Sequence, residues 1–274
     1  LAGGARWENV RIKIDDYHTL AATTVTFTGT PPRITGGTPG GVAVGGGKPK
    51  FNDVLLNGGL IFEPWQGIRA YASYAEGFTA PDIGRITRAI NRTGVDLDSF
   101  LDISPIVSNN REIGLEVKRG PLDASVTYFW SSSDKGQLLI ARPDRIFDVQ
   151  RQRVEIQGLE VNLKVAMPIE GLKAGIGYAH LKGRYDSDTA NPDGKVDTDL
   201  DGSNISPDRL NLSLSYNRGP ISALVQHQIY FSRSFHGKAK PDPRNNFGGY
   251  TLTDASLRYD IGFGALNFSV QNLF

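Results

Sequence analysis

The clearest pattern in the sequence is Arg209-Leu210-Asn211-Leu212-Ser213-Leu214-Ser215-Tyr216-Asn217. Its apolar side chains occupy every second position and its polar side chains occupy the positions between. This alternation is typical of a β-strand with one apolar face and one polar face. The turn residues Arg218, Gly219 and Pro220 follow at once, so the strand is expected to lead directly into a tight turn.

The same alternation recurs along the chain, and helical periodicity is nearly absent apart from one or two turns near residues 82–89. An all-β fold is therefore predicted. The predicted strands number about eleven and lie at 3–15, 55–64, 67–77, 110–119, 121–131, 152–166, 171–184, 206–217, 220–233, 249–261 and 264–274. Within 152–166 the apolar set changes phase near Gly158, which predicts a β-bulge there.

Short and long connections alternate between these strands. The long ones lie near 16–54, 78–109, 132–151, 185–205 and 234–248. In an up-and-down antiparallel sheet, all short turns then lie at one edge and all long loops at the other. This arrangement, with strands of about ten residues, is typical of a transmembrane β-barrel that has short periplasmic turns and long extracellular loops.

Aromatic residues lie near both ends of the predicted strands, as expected for the two membrane interfaces. Those beside the short turns are Trp65, Tyr216, Tyr259 and Phe263, and those toward the long loops are Tyr128, Trp130, Tyr178 and Phe231. The alternative is a soluble barrel with its apolar face inside. About eleven strands would make that interior too wide for side chains to fill.

The predicted first and last strands both run outward, and an odd number of strands does not close an antiparallel barrel. We therefore expect residues 1–274 to be the C-terminal portion of a longer barrel that lacks at least one final strand. The composition restricts function further. The chain has no cysteine, which excludes disulfides and thiolate chemistry, and its net charge of +1 argues against nucleic-acid binding.

Several motifs resemble the barrel of TonB-dependent outer-membrane receptors, most closely the ferric-siderophore type. A strand at Ile68 to Tyr74 leads into Glu76 to Pro81, and this run is similar to the family segment Y-x-x-x-x-G-F-x-x-P; Ile156 to Glu160 is similar to I-x-G-x-E. Residues 110–116, 249–254 and 270–274 resemble later family segments in the same order. The resemblance covers nearly the whole chain.

The resemblance implies a 22-stranded barrel closed by an N-terminal plug, of which this chain supplies about eleven strands. It also implies a location in the outer membrane of a Gram-negative bacterium, a ferric siderophore as ligand, and energy from the TonB complex acting through the plug. Plug and early strands are not in this sequence. Other cargo, namely cobalamin, haem or an oligosaccharide, remains an alternative, as do a passive porin-like barrel and a soluble binding module.

Loop arginines are the main candidates for ligand contact, because guanidinium groups suit the oxygens of anionic ferric complexes. They are Arg85, Arg88, Arg92, Arg142, Arg145, Arg233 and Arg244. If their faces point into the lumen, Tyr71, Gln226, Gln228 and Tyr230 are expected to add contacts. The alternative is that surface arginines bind lipopolysaccharide phosphates or pair with nearby carboxylates.

No catalytic, cofactor or metal site is predicted, and the four histidines are scattered along the chain. One segment, with Asp197, Asp199, Asp201 and Gly202, matches the first half of a calcium-binding loop. No flanking helices are predicted, so a solvated acidic loop is favoured over a calcium site.

Overall fold

A computed structural model describes residues 1–19, 21–31, 33–80, 83–88, 95–96, 105–141, 147–188 and 193–273. Strands dominate these ranges. They are β1 (Ala2–Arg11), β2 (Tyr17–His18), β3 (Ala21–Thr28), β4 (Arg33–Gly40), β5 (Ala43–Gly45), β6 (Lys50–Trp65), β7 (Ile68–Thr79), β8 (Val95–Asp96), β9 (Ile106–Arg119), β10 (Leu122–Ala141), β11 (Phe147–Ala166), β12 (Leu172–Tyr185), β13 (Thr198–Asp199), β14 (Arg209–Arg218), β15 (Ile221–Tyr230), β16 (Tyr250–Asp260) and β17 (Ala265–Val270).

Eleven of these strands form one continuous sheet in the order β1-β6-β7-β9-β10-β11-β12-β14-β15-β16-β17, with β13 added at β12. Each pairs antiparallel with its neighbours along the chain. All eleven predicted strands are confirmed, in the predicted order. A short helix, α1 (Ile83–Arg88), and a 3₁₀ turn at Pro243–Asn245 complete the elements. Among the described residues, no helix has the length and apolarity needed to cross a membrane.

The cross-strand register aligns side chains into rungs that run across the sheet on one face. One such rung joins Leu214, Val225, Ala255 and Val270. Leu214, Val225 and Val270 are 48%, 46% and 52% exposed, and large exposed apolar surfaces of this kind face lipid or a partner. The aromatic residues expected at the interfaces that lie within strands share this face, which we call the outward face; they are Trp65, Tyr128, Trp130, Tyr178, Tyr216 and Tyr259. The opposite, polar face is the lumenal face.

The short turns are sharp enough to require glycine. Gly67 and Gly171 have φ values of +80° and +86°, in the left-handed region that favours glycine. A β-carbon at Gly67 would collide with the carbonyl oxygen of Lys118, and one at Gly171 with that of Asn217. Adjacent hairpins therefore approach each other closely at this edge of the sheet.

The predicted loop at 132–151 is wrong in part, because β10 and β11 stay paired as far as Ala141 and Phe147. The extension was not predicted because polar residues lie on both faces of these strands, so the apolar–polar alternation is lost there. The predicted bulge at Gly158 is also wrong. Gly158 pairs regularly with Phe129, and the register shift lies between Ser133 and Gly136. Gly158 instead makes room for the Phe129 ring, which a β-carbon there would strike.

The apolar phase changes on β11 because its upper, lumenal side chains pack against folded loops. Val154, Leu138, Leu200, Ile205 and Phe235 form a buried cluster that we call the loop core. It joins the upper hairpin to the loops that follow β12 and β15. Since the cluster lies on the lumenal side of the wall, the loops fold inward over the upper lumenal face.

Candidate functional site

The lumenal face carries one unbroken rung across eight strands. It consists of Tyr71, Gly114, Thr127, Glu160, Ala179, Arg209, Tyr230 and Tyr250. The register places Gln228 and Gln226 on the two rungs below, on this same face. The condition set for the lumenal candidates Tyr71, Gln226, Gln228 and Tyr230 is therefore met.

A groove of about 370 Å³ lies on the lumenal face between β11 and β15. Gln226, Gln228 and Tyr230 line one side of it, and Lys164 lines the other. The hydroxyl of Tyr230 donates to Gln228 Oε1 at 3.3 Å, and its ring stacks on Tyr250 with centroids 4.6 Å apart. The groove is therefore polar and partly preorganised.

Two cations supply the charge of this groove. Arg209 and Lys164 are exposed, and neither has an ion-pair partner within the described ranges. Gly175 and Gly177 face the groove between them, and their lack of side chains keeps it open. The arrangement presents ammonium, guanidinium and amide donors to a ligand rich in acceptor oxygens. These groups are suited to binding and orienting such a ligand.

Tyr71 lies elsewhere on the same face. Its hydroxyl is 2.8 Å from Thr127 Oγ1, and its ring crosses Gly114, where a β-carbon would collide with it. Six strand spacings of about 4.8 Å place it about 29 Å along the sheet from Tyr230. Tyr71 therefore does not join the groove lined by the other three lumenal candidates.

Arg233 and Arg244 have different environments. The Arg233 side chain is 18% exposed and lies 3.7 Å from Asp208. It also donates to the carbonyl oxygens of Leu181 and Ser206, which ties the loop to the wall. Arg244 is 79% exposed and pairs with Asp242. Hydrogen bonds from Arg244 hold the pKa of Asp242 below its usual value. Arg244 is accessible from solution, whereas Arg233 is committed to internal contacts.

The remaining arginine candidates are only partly covered. The backbone at Arg85 and Arg88 belongs to α1, which confirms the helical turns expected near residues 82–89. Arg92, Arg142 and Arg145 lie outside the described residues. Contact between these five arginines and a ligand stays a prediction.

The acidic loop after β12 is folded rather than simply solvated. Asp186 is 1% exposed and accepts backbone hydrogen bonds from Asp188 and Gly194. Burial acts to raise the pKa of Asp197, but hydrogen bonds from Ser187 and Thr198 outweigh it, and the net pKa is lowered. In the part of the chain that the structure describes, no group of three or more acidic or histidine side chains is placed to hold a metal ion.

Sequence reasoning missed the groove residues Arg209, Asn211, Asn162 and Lys164. The signal was present, because each occupies a polar position in an alternating strand and so must share the face of Gln226 and Gln228. The sequence favoured arginines in loops over basic residues within strands as candidates for ligand contact. The register adds these strand residues to the candidates.

A sheet that presents apolar side chains outward and a polar, cationic groove inward defines the wall of a transmembrane β-barrel. The chain belongs to the family described as "TonB dependent receptor-like, beta-barrel", which matches residues 1–273. Members of this family are transport receptors rather than enzymes. The family places the protein in the outer membrane of a Gram-negative bacterium.

The relatives are distant in sequence. The ferric aerobactin receptor of Klebsiella pneumoniae is 23% identical over 100% of this chain and 36% of its own length. The ferrichrome outer membrane transporter/phage receptor of Escherichia coli (strain K12) is 25% identical over 79% of this chain and 27% of its own. The chain thus spans about a third of the curated relatives' length.

Solved structures share the fold. The copper transporter OprC superposes with a TM-score of 0.74 at 17% identity, covering 99% of this chain and 40% of that protein. The ferric yersiniabactin uptake receptor FyuA from Yersinia pestis gives a TM-score of 0.67 at 17% identity, covering 99% of this chain and 37% of that one.

Proposed function

We propose that residues 1–274 form the C-terminal portion of the barrel of a receptor that imports a ferric siderophore with energy from TonB. The observation that carries this proposal is the lumenal groove with Arg209 and Lys164 facing it. The curated relatives are named for ferric aerobactin and ferrichrome, which supports a chelate ligand. The TonB complex would act through a plug outside this sequence.

The proposed mechanism is capture without bond chemistry. Loops collect the ferric complex, and the groove then holds the peripheral oxygens of its ligand. Carboxylate, hydroxamate and catecholate oxygens accept hydrogen bonds from guanidinium and ammonium donors. Binding these oxygens costs little free energy, since neither Arg209 nor Lys164 has to break an existing ion pair.

The test uses the full-length receptor, produced in a bacterial strain that has lost its own siderophore receptors. Binding of ferric aerobactin is measured by fluorescence quenching, and uptake by growth with that complex as the iron source. The double variant Arg209→Gln with Lys164→Gln is expected to weaken binding about a hundredfold or more, because two charge-assisted hydrogen bonds are lost and each contributes about 1.5–3 kcal/mol. Deleting TonB is expected to abolish growth but leave binding intact.

Arg218→Gln is the matched control. Arg218 lies on the same strand as Arg209 but on the outward face beside a short turn, where it pairs with Glu170 at 3.1 Å. It should leave affinity unchanged. Uptake that persists without TonB would instead favour a passive barrel, and binding of cobalamin or haem but no ferric chelate would replace the proposed cargo. Equal affinity in the double variant would remove the groove from the site.

A further inference from the structure

A second depression of the lumenal face lies near the short turns, on strands β14 to β17. Its volume is about 310 Å³. Apart from Leu224 and Arg258, the lumenal side chains that line it are small, neutral and polar. They are Ser215, Asn217, Ser222, Ser256, Asn267 and Ser269. We call this depression the lower trough.

The lower trough continues the groove that lies above it on the same face. Ser213 and Gln226 line the groove. Ser215 and Leu224, each two residues closer to a short turn, line the lower trough. Residues two apart on a strand lie on the same face, about 7 Å from each other. The two depressions are therefore successive sections of one lumenal surface.

Arg258 is the cation of the lower trough. Its side chain is exposed, and within the described ranges no carboxylate lies close enough to form an ion pair with it. Its Nη1 donates to Asn267 Oδ1 at 3.4 Å. Asp254 and Asp260, the carboxylates on the same strand, both accept backbone hydrogen bonds. Most of the five guanidinium donors of Arg258 are therefore available to a ligand.

Arg258 lies too far from Arg209 for one small chelate to contact both. Arg209 is level with Tyr250 across β15, and Arg258 follows Tyr250 by eight residues. At about 3.4 Å per residue this separation is about 27 Å along the strand, or about 21 Å toward the periplasmic edge at a tilt of about 40°. The lower trough is therefore a site separate from the groove.

The lumenal face of β7 to β10 differs from the lower trough in both size and charge. The large ring of Tyr71 covers Gly114 there. Near the short turns, Arg69 is already hydrogen-bonded and ion-paired with Glu116. A chelate that moves down the wall on the side of β14 to β17 meets smaller side chains and a cation that has no ion pair to break.

We propose that the lower trough is a second binding site for the ferric chelate, occupied after the chelate leaves the groove and before it reaches the periplasm. This inference rests on the proposed function. Arg258 binds a peripheral carboxylate, hydroxamate or catecholate oxygen, and the serine hydroxyls and asparagine amides form hydrogen bonds with others. Neutral hydroxyls and amides bind weakly enough for release, which passage through a site requires.

The test separates capture from transport in the full-length receptor, with ferric aerobactin as the probe. Affinity is measured by fluorescence quenching of the purified receptor, and the maximal uptake rate with radioactive iron in the receptor-deficient strain. Arg258→Gln is expected to leave affinity unchanged and to lower the uptake rate about tenfold, because one charge-assisted hydrogen bond is lost on the path. Arg258→Lys should retain most of the rate. Ser256→Asp, which adds a carboxylate, should lower the rate without changing affinity.

The matched control is the double variant Arg69→Gln with Glu116→Gln. Arg69 is the second residue of β7 and faces the lumen close to a short turn, as Arg258 does. Removing it together with its partner leaves the net charge unchanged and the lower trough intact. Affinity and uptake rate should both match the wild type.

The possible outcomes distinguish the lower trough from the groove and from the plug. A wild-type uptake rate in Arg258→Gln would overturn the lower trough while leaving the groove in place, and so would a loss of affinity, since the sites would not be separate. Greater entry of a large antibiotic into cells with Arg258→Gln, measured without chelate, would show that Arg258 holds the plug instead. A wild-type receptor that does not bind ferric aerobactin would refute the proposed function, and this inference with it.

Discussion

Leu200→Ala tests whether the loop core holds the extracellular loops on the wall. Leu200 is 2% exposed and packs in the loop core. Its backbone N–H donates to the carbonyl oxygen of Gly183 at 2.9 Å. The side chain also lies where a β-carbon on Gly183 would be, so the loop and the wall are in direct contact at this point.

Truncation removes a nearly fully buried leucine side chain and leaves a cavity. Such changes cost about 2.7–5.0 kcal/mol in well-packed cores, and we take about 3 kcal/mol for a cluster of this size. Hydrogen exchange measures local opening directly. A loss of about 3 kcal/mol corresponds to about 150-fold faster exchange, provided that the loop opens without the barrel.

The measurement is hydrogen exchange with mass spectrometry on the full-length receptor in detergent. Faster exchange is expected in peptides covering 198–205 and 233–247, because Phe235 shares the cluster. Leu212→Ala is the control, since Leu212 faces outward on β14 and leaves no cavity in the loop core. Loop exchange that matches the wild type in Leu200→Ala would refute the idea that this cluster fixes the loops.

Three other changes give distinct outcomes. Gly114→Ala should displace the Tyr71 ring and so lower the unfolding temperature in a thermal melt. Adding Tyr71→Ala to the same protein makes room for the new methyl group and should restore part of that temperature. Arg233→Gln should lower the free energy of loop opening by about 2 kcal/mol and so speed loop exchange about thirtyfold, because the carbonyl oxygens of Leu181 and Ser206 lose a charged donor; the same change at the exposed Arg244 should not. Because the pKa of Asp197 is lowered in the folded loop, its stabilisation is complete above about pH 4 and is lost as the pH falls through the folded pKa; Asp197→Asn should flatten exchange profiles recorded from pH 3 to 6.

The membrane part of the fold was predictable because lipid is a uniform environment. It demands an apolar side chain at every second position, and strands such as 209–217 meet that demand with few exceptions. Antiparallel neighbours and tight turns then fix the order of strands. The same alternation was enough to place Gln226 and Gln228 on the lumenal face.

The structure of the loops was less predictable because the same segments contact water with some side chains and the loop core with others. Residues 132–151 carry no clean alternation, so their extended pairing was not expected from the sequence. Arg233 illustrates the same difficulty at the site. Its residue type suits an anionic ligand, but its partners, Asp208 and two carbonyl oxygens, come from distant parts of the chain and appear only in the folded structure.

Along β11 the apolar side chains switch from the outward face to the lumenal face, and the physical cause applies to barrel strands in general. Below Gly158 the outward side chains, such as Val161, are apolar and the lumenal ones, such as Lys164, are polar. Above it Arg153 is outward and Val154 is buried against the loop core. Outside the membrane the outward face meets water, so the apolar set must move to the other face to find an apolar environment. An inverted alternation in a barrel strand thus indicates where the strand leaves the membrane, and here it does so at the level of Gln157 and Lys182.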